Sequence, residues 1–137
     1  VLDKATELIA RHEGYVPTVY KCTEGFDTIG YGFAIKDLFL TKDVCDIILK
    51  QILEHNVKKF QEKFSWFKDL PETAQVVLMN MCYQMGIYGV SRFKKTLKAF
   101  ESGDWECAAD EMLDSLWAKQ TPNRANELSE MIRNIND

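Results

Sequence analysis

Four of the chain's seven glycines lie between residues 14 and 32 of a 137-residue sequence, and that crowding constrains the fold more than any other feature. Gly14, Gly25, Gly30 and Gly32, with Pro17, interrupt a stretch where a helix cannot be sustained. Glycine carries the largest backbone entropy into a helix, and proline has no amide hydrogen to donate. Between these breakers run Val16, Val19 and Tyr20, then Thr28, Ile29 and Tyr31. β-branched and aromatic residues bounded by turn formers read as two short strands, joined by a turn around Thr23-Glu24-Gly25. No other segment reads convincingly as β.

The rest of the chain has helical period. Leu2, Ala5, Leu8 and Ile9 share one face of a helix running to His12. Thr41 is a suitable N-cap and Asp43 favours the positive helix start. From there Val44, Ile47, Ile48, Ile52, Val57, Phe60 and Phe64 form a long apolar stripe. Pro71 suits the first turn of the next helix, whose Val77, Leu78, Met81 and Cys82 read as buried. Gly86 and Gly89 are expected to break it, and Ser91 to cap a helix carrying Phe93, Leu97 and Phe100. Ser102-Gly103-Asp104 reads as a stop followed by a new cap. Trp105, Ala108, Ala109, Met112, Leu113 and Leu116 form the next stripe, and Thr121-Pro122 opens the last helix, with Ala125, Leu128, Met131, Ile132 and Ile135. The fold class expected is α+β, mainly helical.

Charge and composition exclude several functions. Seventeen basic against 21 acidic residues give a net charge of −4, which argues against sequence-independent nucleic-acid binding. The local cluster Arg92, Lys94, Lys95 and Lys98 reads as a solvated helix face. The longest stretch without a charge, Thr73 to Ser91, holds Gln75, Asn80, Gln84, Gly86 and Gly89, so a buried helix is expected and stable membrane insertion is not. His12-Glu13 resembles the start of a zinc-protease motif, but Val16 stands where the second His is needed, and no metal or other cofactor is expected. Cys22, Cys45, Cys82 and Cys107 form no C-x-x-C pair and are expected as free thiols. The sequence starts at Val1 rather than Met, as expected of a trimmed, processed or excised chain.

Among the polar residues of the glycine-rich segment, Glu13 is the candidate acid. A carboxylate at the end of a helix opposes the helix dipole, which favours a functional reason for its presence. Glu13-Gly14, Tyr20-Lys21-Cys22-Thr23-Glu24-Gly25 and Thr28-Ile29-Gly30-Tyr31-Gly32 resemble the active-site segment of the phage-type lysozymes, the endolysin muramidases. Asn80-Met81-Cys82-Tyr83-Gln84-Met85-Gly86, Gly89-Val90, Gly103-Asp104-Trp105-Glu106, Ser115-Leu116-Trp117 and Gln120-Thr121-Pro122-Asn123-Arg124-Ala125 continue the resemblance in order and spacing, from about Leu8 to Arg133.

The resemblance implies a catalytic pattern: a Glu, eight residues, an Asp or sometimes a Cys, five residues, then a Thr. Here these positions are Glu13, Cys22 and Thr28. The implied reaction is hydrolysis of the β-1,4 bond between N-acetylmuramic acid and N-acetylglucosamine in bacterial peptidoglycan, leading to lysis. Glu13 would protonate the glycosidic oxygen, and Thr28 would help place the attacking water. Sugar hydrolysis needs such an acid and a nucleophile on the other ring face. An acid kept protonated near neutral pH belongs in a partly desolvated cleft. Cys22 departs from the usual carboxylate, and a thiol is mostly uncharged at neutral pH. Three roles stay open for it: accepting a proton from, or orienting, water with inversion; covalent attack with retention; or none.

The resemblance also implies substrate contacts from Glu24, Tyr83, Gln84, Thr96 and Gln120, support from Arg124 pairing with Glu13, and a slim strand at Gly30 and Gly32. Phe33 and Ala34 stand where the family tends to have His and Leu, and Glu111 replaces a neutral amide. Trp105 and Trp117 are expected as core anchors. The expected architecture is a lysozyme-like, two-lobed single domain over residues 1–137: a small hairpin lobe at about 13–40, a linking helix at about 41–64, and a helical lobe at about 65–137 plus the N-terminal helix. The β region is shorter than usual, and the sequence ends soon after Arg133, short of the family's aromatic tail. The implied protein is a monomer, made in the host cytoplasm and acting on periplasmic peptidoglycan. A peptidoglycan-binding module that has lost its chemistry, a tail-associated or toxin-borne muramidase domain, and a lytic transglycosylase are the alternatives.

Overall fold

A computed structural model describes residues 1–136. The chain divides into two units, Val1–Cys45 and Asp46–Asp137.

The first unit opens with α1 (Leu2–Glu13). Arg11 and His12 fall in its last turn, where positive charge suits the helix dipole. The helix stops because Gly14 takes φ 72°, ψ 154° while its N–H still reaches Ala10 O at 2.9 Å. Glu13 is thereby fixed as the last helical residue. Three antiparallel strands follow in the order β1 (Val16–Lys21), β2 (Asp27–Gly30) and β3 (Phe33–Ala34). Tyr20 faces Thr28 and Lys21 faces Asp27, with a bulge between Val16 and Tyr20. The β1–β2 turn closes through Gly25 N to Cys22 O and Cys22 N to Phe26 O, both 2.9 Å. Gly25 supplies the positive φ of 86° that this turn needs.

The third strand goes beyond the two expected. The bend at Gly30-Tyr31-Gly32 returns the chain so that Phe33 pairs with Ile29 and Ala34 with Thr28. Two residues carry no readable alternation, so such a strand leaves no periodic signature. A short 3-10 turn, Ile35–Asp37, follows. Thr28, 4% exposed, is the one buried residue of this unit.

Helix α2 (Lys42–Lys63) starts as expected, with Thr41 Oγ1 accepting from Val44 N at 3.3 Å. In the second unit it is followed by a 3-10 segment (Ser65–Asp69), α3 (Glu72–Ser91), α4 (Lys94–Ser102), α5 (Trp105–Leu113), α6 (Leu116–Gln120) and α7 (Pro122–Arg133). Among the described residues, the buried apolar ones all lie between Phe60 and Ile132. Phe60, Phe67, Val77, Leu78, Met81, Phe100, Met112 and Ile132 are shielded completely or nearly so. Each such side chain contributes about 1.5–3 kcal/mol relative to exposure. Trp105 and Trp117, at 7% and 5% exposed, are core anchors as expected.

Three helix-end expectations are corrected. Helix α3 is broken at Gly86 (φ 77°, ψ 162°), as expected, but not at Gly89, which lies within the helical stretch that resumes to Ser91. Ser91 does not cap α4; its hydroxyl donates back to Ile87 O at 2.6 Å, and Phe93 takes the N-cap position. Leu116 leaves the α5 stripe and is 68% exposed, because α5 stops at Leu113 and Ser115 caps a separate α6. The stop at Gly103 (φ 74°, ψ 20°) and the Asp104 cap, accepting from Cys107 N at 3.2 Å, match expectation. Among the described residues, no helix is long and apolar enough to cross a membrane.

Candidate active site

The end of α1, the β1–β2 turn and the chain after β2 enclose a recess of about 390 Å³ in the first unit. Glu13, Cys22, Glu24 and Thr28 all line it. The sequence spacing therefore becomes a spatial cluster. α1 ends at the acid, β1 delivers the thiol to the turn, and β2 brings the threonine back opposite Tyr20.

Gly32 also lines the recess. A β-carbon built on it would stand 2.5 Å from Glu13 Oε2 and 2.9 Å from the carboxyl carbon. With φ at +72°, the backbone also favours glycine. The carboxylate thus occupies space that any larger residue would take. Gly30 differs: it does not line the recess, and a β-carbon there would meet the Phe33 ring at 2.8 Å. Its role is the bend and the Phe33 packing.

Cys22 is half-buried, and its thiol is held below the usual range. Backbone N–H groups of Phe26 and then Glu24 donate to the sulfur and favour the thiolate; the Thr28 hydroxyl adds a weaker contribution. Desolvation and the Glu24 carboxylate oppose them. Thr28 Oγ1 has one proton, given to Phe26 O at 2.9 Å. When Cys22 ionises, the same hydroxyl can turn to the sulfur.

Tyr20, Phe26, Lys36 and Asp37 complete the polar and aromatic lining and were not singled out from sequence. Lys36 Nζ sits 3.8 Å from the Phe26 ring centroid, a cation–π contact, and is the recess's one cation beside Glu13, Glu24 and Asp37. No motif marks Lys36 and Asp37, because the unforeseen β3 return brings them in.

The remaining candidates lie in the second unit. Gln84 and Gln120 share a recess of about 560 Å³ with Trp117. Gln84 Oε1 accepts from Trp117 Nε1 at 2.8 Å, leaving its amide N–H groups for a ligand. Tyr83, half-exposed, and Arg124 line a neighbouring groove of about 540 Å³. Arg124 Nε donates to Asn80 Oδ1 at 2.8 Å. Thr96 is only 3% exposed, so its hydroxyl is poorly placed to meet a sugar. Glu111 lies beside it in a shallow recess. Among the described residues, no three His, Cys, Asp or Glu side chains gather as a metal cluster.

The phage lysozyme family model matches residues 10–133, and the chain belongs to that family. It is similar to "Probable T4-type lysozyme 1" of Dictyostelium discoideum, at 29% identity over 92% of this chain and 91% of that one. "Probable T4-type lysozyme 2" of the same organism is 30% identical over 89% of both chains. "Pre-baseplate central spike protein Gp5" of Enterobacteria phage T4 is 28% identical over 92% of this chain but only 27% of its own length.

Proposed function

We propose that the chain is a muramidase that hydrolyses the β-1,4 bond between N-acetylmuramic acid and N-acetylglucosamine in peptidoglycan. The observation that supports this most is the gathering of Glu13, Cys22 and Thr28 in one recess. Glu13 is the general acid on the leaving oxygen. Its carboxyl lies against a glycine, Gly32, that leaves it room. Cys22 orients the attacking water and takes its proton. The backbone donors that favour its thiolate make it a better base than an ordinary thiol. Thr28, buried and tied to Phe26, fixes the water's position. Gln84, Gln120 and Tyr83, in the second unit, are taken by themselves as saccharide-binding candidates.

Loss of turbidity by outer-membrane-permeabilised Gram-negative cells tests the activity, and muropeptide analysis tests the reaction. Reducing ends support hydrolysis; 1,6-anhydro ends point to a transglycosylase. Glu13→Gln should lose about 10²–10⁴-fold in rate. Wild type that binds sacculi without clearing them refutes the enzyme reading in favour of a binding module. A second reading keeps the same chemistry but carries it on a longer tail-associated protein. The match to the central spike protein, most of which lies outside the matched region, favours it.

A further inference from the structure

A recess of about 720 Å³ in the second unit lies outside every position named above as a site residue. It is formed where α2 ends, the Ser65–Asp69 segment turns, α3 ends and α4 begins. Trp66, half-buried, and Tyr88, 77% exposed, give it aromatic faces. Lys63, Arg92, Lys94 and Lys98 line it as cations against one carboxylate, Glu101.

Two observations set these cations apart from an ordinary solvated helix face. None of the four makes an ion pair among the described residues, in a chain whose net charge is −4. Lys94 also opens α4, whose first turn holds no acidic residue. A cation at that positive helix end costs stability, typically about 0.3–1 kcal/mol, so helix formation does not account for it. Four cations stand against one carboxylate around a concave aromatic surface.

We propose that this recess is a second, non-catalytic binding site for an anionic glycan strand. Sugar faces lie against Trp66 and Tyr88, and strand carboxylates meet Lys94, Lys98, Arg92 and Lys63. Aromatic rings present flat apolar surface to pyranose rings, and ammonium and guanidinium groups recognise carboxylates at short range. A membrane surface suits a convex apolar face better than a recess. The overall acidic charge disfavours nucleic acid. Choosing peptidoglycan as the carboxylate-bearing glycan rests on the proposed function. The site would hold a strand to the protein between cleavages, offsetting the weak long-range attraction between an acidic protein and an anionic wall.

The test uses the full chain carrying Glu13→Gln, so that no glycan is consumed, and follows the Trp66 indole N–H by NMR. Three probes are titrated: soluble uncrosslinked peptidoglycan strands, the same strands stripped of stem peptides, and a neutral N-acetylglucosamine oligomer. The Trp66 signal is expected to move with the anionic strands and not with the neutral oligomer. A response lost with the stem peptides assigns the contacts to peptide carboxylates; a retained one assigns them to the lactyl ether. Lys94→Glu with Lys98→Glu, both exposed, should abolish the shift and weaken strand binding about tenfold. A motionless Trp66, or an unchanged response in the charge-reversed variant, overturns the proposal. Tighter binding to single-stranded DNA or to phosphatidylglycerol vesicles through the same residues also overturns it. Wild-type lysis assays report separately on the muramidase reading, because this binding needs no cleavage.

Discussion

The Glu13 carboxylate rests against the face of Gly32 where a β-carbon would project, 2.5 Å from Oε2. The Glu13 carboxylate and the bend between β2 and β3 are thereby coupled: the glycine's missing side chain is the space in which the carboxylate lies. Gly32→Ala should therefore displace Glu13 and cost activity about tenfold or more, since small misplacements of reacting groups are expensive. Gly25→Ala is the control. It too has positive φ, 86°, but open space around it. Both variants should lose about 1 kcal/mol of stability through backbone strain. Only Gly32→Ala should lose lytic rate. Equal activity in the two would refute the coupling.

The three thiols with distinct environments should separate in alkylation. Cys22, held below its ordinary value by backbone donors, should react with iodoacetamide at lower pH than Cys107, which desolvation and then Asp104 push upward. Cys82, 1% exposed, is pushed up to about 12 by burial alone and should resist labelling in the folded chain. Its burial also has a sign for stability. The unfolded thiol ionises near 9.0 and the folded one near 12, so its stabilising contribution is present below pH 9 and declines as pH rises towards 12. Mass spectrometry of labelled peptides across pH, with parallel melts of Cys82→Ala, checks both.

On the proposed mechanism, the role of Cys22 decides the stereochemistry. With the thiolate acting on water, cleavage of the β-bond should release the α-anomer first, visible by NMR before mutarotation. Initial β-anomer would instead establish a covalent intermediate. Cys22→Ala should lose at least about 10²-fold in kcat while Cys22→Asp keeps measurable lysis. Full activity in Cys22→Ala would leave the thiol without a catalytic role.

The Asp104 cap gives a prediction in the second unit. Its carboxylate accepts from Cys107 N at the start of α5. Asp104→Ala should cost about 1 kcal/mol, read as a lower urea midpoint at unchanged slope, with lytic rate unaffected.

How far the sequence disclosed this molecule depends on the range of the signal. Thr41, Gly103, Asp104 and Pro122 act on their own neighbours, and each delimits the helix that its chemistry implies. Cys22 and Thr28 were picked out beside Glu13 only through the family resemblance, and one recess collects all three. Gly86 breaks the helix through a positive φ that glycine adopts without strain, whereas Gly89 keeps helical geometry and its breaking tendency is overridden. β3, and with it Lys36 and Asp37, depends on a bend whose outcome is written in pairing to β2 rather than in local pattern. Thr96 matched in spacing, but its burial follows from how α4 packs, which spacing does not encode.

The burial pattern has one further consequence. The apolar interior begins at Phe60, while the unit that carries Glu13, Cys22 and Thr28 shelters little besides Thr28 itself. Short sheets with few buried contacts open at low free-energy cost. Thermal inactivation will accordingly run ahead of melting. On warming, the lytic rate will fail while the circular dichroism of the helices is still intact, and cooling will restore it without refolding the larger unit.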